Sequence, residues 1–167
     1  MKHVVILMRI FGGAVSAPLA NPLFRQFLRW LGKFHVLAVH FPIALLVAAA
    51  AAELYFLLRG NRGSSSVVRF CVLLGAAAAT VGAGLGLLNA GLNGSGADLP
   101  TVLTLHRWTG TASALMALIV GIFIEQDARR GDRRQLSRLS LFLTAALVSV
   151  AGHLGGTLVF GPDYFKW

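Results

Sequence analysis

Acidic side chains, cysteine and long polar stretches are all scarce in this chain of 167 residues. Only 13% of its residues are charged, six Asp and Glu against fifteen Lys and Arg. The single thiol, Cys71, rules out an intramolecular disulfide, a cysteine-rich metal site and a haem attached through a paired-cysteine motif; a buried structural role is the expectation for it. No Ser or Cys stands beside the base and orienting carboxylate of a hydrolase, and no phosphate-binding loop is present. No inverted repeat or interrupted helix pair points to a transporter. Glu53 is the one carboxylate well inside an apolar segment, where pairing with Arg59 or Arg69, or reaching for the surface, fits better than a proton relay.

Apolar residues fill the chain instead. They make up 56% of it, with 19 glycines, which is the balance of a membrane protein. Four segments, 35–58, 68–91, 102–124 and 139–160, reach the roughly 18 to 20 apolar residues that about 30 Å of hydrocarbon requires. The connections RGNRGSSSVVR, NAGLNGSGADLP and EQDARRGDRRQLSR are short and polar or glycine-rich. Successive helices are then antiparallel neighbours. The expected fold is all-α, a four-transmembrane-helix up-down bundle over 34–161, with an N-terminal interfacial segment over 1–33 and a tail over 162–167.

The net charge of +9 is placed to orient the chain in a membrane, not to bind nucleic acid. Arg59, Arg62 and Arg69 fall at the first connection and Arg129, Arg130, Arg133, Arg134 and Arg138 at the third, on one side of an even-numbered bundle. Cations beside span ends mark the cytoplasmic side. The first and third loops are therefore expected in the cytoplasm, the protein in a bacterial inner membrane, and the second loop and C-terminus outside. The run VVILMRIFGGAVSAPLA is interrupted by Arg9 and is a poor spanning helix, with a weak suggestion of a cleavage site after it. In NPLFRQFLRWLGK, Asn21 suits a cap, Pro22 a first turn, and Arg25 and Arg29 lie opposite Leu23, Phe24, Phe27, Leu28 and Leu31. That pattern predicts an amphipathic helix in the membrane interface.

Histidine is costly in hydrocarbon, yet it recurs in the spans. With helices one and three running inward and helix four returning, His40 and His106 lie roughly 6 to 8 Å below the outer boundary and His153 roughly 10 to 12 Å, at about 1.5 Å per residue. Three helices converge on one depth. His35 is shallower and about 140° from His40 around an ideal helix, so the two do not easily face one centre, and His35 is expected at the surface. Neutral imidazole is a common donor to haem iron or a transition metal. A b-type haem needs two such donors on different helices, space for a flat macrocycle, and cations for its carboxylates. His40 and His106, on the diagonal first and third helices, are the favoured pair, with His153 an alternative ligand or a hydrogen-bonding neighbour. Gly110, Gly152, Gly155 and Gly156 with Gly82, Gly84 and Gly86 supply space, and Arg107 and Trp108 lie at the membrane edge. Such glycines also serve helix packing. A copper or zinc ion on His40, His106 and His153 is the chemical rival. The cytoplasmic half holds no histidine, which argues against two stacked haems.

FHVLAVHFPIAL, LHRWTG and GHLGGTLVFG together resemble a family of bacterial four-helix membrane proteins of unknown function marked by an HPxxVHFPIAL signature. The likeness runs over 34–161 and carries onto His35, His40, Pro42, His106, His153, Gly155 and Gly156; it departs at Val36, where the family usually has proline. It implies the fold and the histidine set, and no activity. A looser similarity, of fold alone, is to four-helix b-type membrane cytochromes. The expectation is an integral membrane electron-transfer protein that binds one haem b near the outer face and serves a quinone or a larger membrane complex, not a stand-alone enzyme. The alternatives are a cofactor-free structural or assembly subunit and the copper or zinc site.

Overall fold

The computed structural model describes residues 21–61, 63, 65–92, 100–130 and 135–163. The expectations for the run before Asn21 and for Arg62, Arg133 and Arg134 lie outside these residues. Within them the chain forms helices α1 (Pro22–Lys33), α2 (His35–Ala38), α3 (His40–Leu58), α4 (Ser66–Leu92), α5 (Pro100–Arg130) and α6 (Gln135–Phe160).

The start of α1 is set by local chemistry. Asn21 Oδ1 accepts from the backbone N–H of Leu23 at 2.9 Å and of Phe24 at 3.4 Å, and Pro22 sits in the first turn, where a missing N–H costs nothing. Only Phe34 and Val39 separate α1, α2 and α3, and the bonds from Ala38 N–H to Phe34 O (2.9 Å) and Val39 N–H to His35 O (3.1 Å) carry across. Pro42 explains the break at Val39, since it offers no N–H to the Ala38 carbonyl and its ring crowds that carbonyl. The first candidate span is consequently Pro22–Leu58, which places His35 well inside a helical run. The other spans are Ser66–Leu92, Thr101–Arg130 and Gln135–Phe160.

α1 is the amphipathic helix expected, and it also packs on the bundle. Arg29 Nε donates to the Leu92 carbonyl at 3.0 Å, and a Cβ on Gly32 would stand 2.9 Å from the Asn89 nitrogen. Part of the basic face is thus turned onto the end of α4, where a cation satisfies an orphan helix carbonyl. Leu23, Phe27 and Trp30 are left exposed.

α3 packs against α4 and α6, and α5 against the same two, so the spans form a ring with the first and third on its diagonal. This is the up-down bundle expected. Its interior is built of small residues, Ala49, Ala76, Ala79, Ala114, Ala117 and Ala151, around Leu46, Val72, Val120, Ile124 and Leu141. Phe70, Leu73, Leu115, Ile122, Leu139 and Leu143 are exposed. Small residues inside and large apolar ones outside is the arrangement lipid favours, because close backbone approach drives association there. Cys71, expected to be buried, is half-buried against this core. Gly60 (φ 71°) and Gly161 (φ 86°) end α3 and α6 in the left-handed conformation.

At the end carrying the first and third connections, side chains that composition assigns to loops prove helical. Glu125 and Asp127 belong to α5; Arg69 on α4 meets Glu125 through Nε–Oε1 at 2.5 Å and Nη2–Oε2 at 2.9 Å. Asp127 is buried. Arg138 belongs to α6, and its Nε donates to Glu53 Oε1 at 2.9 Å with both side chains buried. Glu53 therefore pairs with Arg138, not with Arg59 or Arg69. The physical reason is that α6 begins before its apolar stretch and so carries Arg138 alongside α3.

Candidate functional site

A cavity of about 540 Å³ lies among all four spans, in the half of the bundle opposite the arginine-rich connections. Its walls are mostly apolar. Its polar groups include His35, His40, His106, Arg107, Thr111 and Ser113.

Two of the imidazoles are held in the same way. The Nδ1 of His35 lies 2.8 Å from the Gly82 carbonyl on α4, and the Nδ1 of His106 lies 2.9 Å from the Ala151 carbonyl on α6. A carbonyl only accepts, so each Nδ1 carries a proton and donates, and in the neutral ring it is Nε2 that holds the lone pair. The two rings lie 5.9 Å apart between centroids, with their planes at 72°. Glycine backbones make room for both: a Cβ on Gly86 would stand 2.8 Å from His35 Cε1, and one on Gly155 would stand 3.1 Å from His106 Cε1. Gly110 and Gly156 also line the cavity and have open space where a Cβ would be.

The remaining expected residues divide. Arg107 lines the cavity from an exposed position one residue beyond His106. His40 lines it too, but is exposed, and it is His35 on the same run that faces His106. His153 is exposed and is not among the lining residues. Among the described residues no three His, Cys, Asp or Glu side chains gather to hold a metal ion. His40, His106 and His153, the alternative copper or zinc set, are not gathered in the structure, and the imidazoles that stand together are His35 and His106. Both His35 and His40 reach the cavity, but only His35 stands against His106. That was decided by the packing of the helix on Gly82 and Gly86, a contact that periodicity along one helix does not carry.

Two predictions test the cavity itself. Gly86→Ala and Gly155→Ala are each expected to push an imidazole off its carbonyl and to destabilise the fold by about 1–3 kcal/mol, as overpacking does, measurable as a lower midpoint of thermal unfolding in detergent. Gly110→Leu, by contrast, is expected to leave that midpoint nearly unchanged while filling the cavity, and a loss of ligand binding without loss of fold would be its signature.

Fold, composition and site define a polytopic helical membrane protein with a ligand-sized cavity among its spans. A family profile described as "Predicted membrane protein (DUF2231)" matches residues 33–163, and the chain belongs to that family. Comparisons with curated proteins and with solved structures found no match, so the looser likeness to membrane cytochromes has no counterpart among them.

Proposed function

We propose that this protein carries electrons in the membrane by means of one b-type haem held between His35 and His106. The observation that carries the reading is the facing pair of imidazoles, on diagonal helices, each fixed by a carbonyl in the tautomer that leaves Nε2 free. The two rings stand 5.9 Å apart between centroids, and with each Nδ1 engaged by a carbonyl, Nε2 is the atom through which His35 and His106 would hold the iron. The cavity is of the size that small-molecule and cofactor sites take, about 300 to 1,000 Å³.

When bound, the haem would supply a one-electron couple. The chain's residues do the rest. The carbonyls of Gly82 and Ala151 orient the two ligands and raise their basicity. Arg107 offers a cation to the ligand's carboxylates at the cavity wall. A pair of imidazoles favours iron in a macrocycle over copper or zinc, which take three or four protein donors. Arg59, Arg69, Arg129, Arg130 and Arg138 at the opposite end favour a cytoplasmic side for the first and third loops, which supports a haem toward the outer face of a bacterial inner membrane. A quinone or a larger membrane complex is the partner such a carrier requires.

The test is the visible spectrum of protein purified in mild detergent after expression with a haem supply. A dithionite-reduced alpha band with one haem per chain is the expected result. A colourless protein that also takes up no added haemin would overturn the proposal.

A further inference from the structure

The first two spans and the last two repeat one another. His35 on the first span donates to a carbonyl of the second, Gly82, and rests on Gly86 one turn further along. His106 on the third donates to a carbonyl of the fourth, Ala151, and rests on Gly155, again one turn along. At the opposite end, Glu53 of the first span meets Arg138 of the fourth, and Glu125 of the third meets Arg69 of the second. Exchanging the first span with the third and the second with the fourth gives every one of these contacts a counterpart, the relation that a two-fold axis along the bundle would produce.

The residue spacing follows the same relation in the second and fourth spans and comes within one residue of it in the first and third. Thirteen residues lead from Arg69 to Gly82 and from Arg138 to Ala151, and seventeen lead from Arg69 to Gly86 and from Arg138 to Gly155. Eighteen lead from His35 to Glu53 and nineteen from His106 to Glu125. Parallel repeats related by an axis along the membrane normal are an established way of building polytopic bundles. The relation also accounts for His153. Its counterpart is Gly84, a position with open space where a Cβ would stand, so this register points away from the cavity in both halves.

We infer that the chain is a duplicated helical hairpin whose cavity is a two-fold site, each half giving one equivalent imidazole. A haem iron held there is closed on both faces by protein, and the site passes electrons without binding a gas or substrate at the metal. The inference rests on the haem reading proposed above and adds to it the class of chemistry. Its basis is the matched donor set: both ligands have the same tautomer, the same type of acceptor and the same glycine support.

The experiment exposes the dithionite-reduced wild-type protein, and its His35→Gly and His106→Gly variants reconstituted with excess haemin, to carbon monoxide. The expected result is no spectral change in the wild type and a carbon monoxide adduct in both variants. Added imidazole is expected to restore the wild-type spectrum in each variant to the same extent, which also shows that each has folded. An adduct on the wild type, or one variant that keeps the unreactive spectrum while the other loses it, would overturn the two-fold site while leaving haem binding intact. A wild type that takes up no haemin would overturn the haem reading and this inference together.

Discussion

Replacing His35 by alanine is expected to remove the reduced alpha band, whereas His40→Ala and His153→Ala are expected to keep it. His35 is the imidazole whose Nδ1 is tied to Gly82, 2.8 Å away, and whose ring faces His106 at 5.9 Å. On the proposed reading its loss takes away a ligand and not merely a ligand's support. Mutating outer partners of a metal ligand typically costs about 10- to 100-fold in affinity, so haem affinity is expected to fall by more than that in His35→Ala and in His106→Ala. His40 is exposed at the cavity wall and His153 is exposed away from it. Titration of each variant with haemin, followed by absorbance, distinguishes the two pairs. Equal losses in His35→Ala and His40→Ala would contradict the assignment.

Arg138→Ala is expected to be the most destabilising substitution at the other end of the bundle. It removes the guanidinium that lies 2.9 Å from the Glu53 carboxylate, whose residue is 2% exposed. Breaking a buried ion pair from one side costs about 3–5 kcal/mol, while replacing both partners with apolar side chains of similar volume is often neutral. Thermal unfolding in detergent is therefore expected to show a large loss for Arg138→Ala and substantial recovery in the double variant Glu53→Leu with Arg138→Met. Arg69→Ala breaks the two-fold-related pair, whose side chains are 47% and 29% exposed, and is expected to have a far smaller effect. If the double variant is no more stable than Arg138→Ala, the pair does more than hold two helices together.

The four spans, their antiparallel order and the diagonal relation of the first and third were legible from hydropathy and loop length, because those properties accumulate over twenty residues. His106 and its glycine-lined wall were legible for the same reason. His35 was not. Hydropathy started the first span at residue 35 and so put that side chain at a surface, whereas the run capped by Asn21 makes it interior. The partner of Glu53 was hidden in a similar way, since Arg138 stands in a segment whose charge reads as loop. Rotation of a helix about its axis and the pairing of charges between helices are set by contacts distant in sequence. The repeat of Arg, Gly or Ala, and Gly at equal spacing in both hairpins was nevertheless present in the sequence, at an offset of 69 residues that is close to the 71 between His35 and His106.

The most direct test of the haem pair is near-infrared magnetic circular dichroism of the oxidised, haem-loaded protein, which reads the axial ligands of iron from its charge-transfer bands. Low-spin iron with two imidazoles, altered in His35→Ala and unaltered in His40→Ala, is the predicted result. High-spin iron, or two imidazoles that persist without His35, would contradict it.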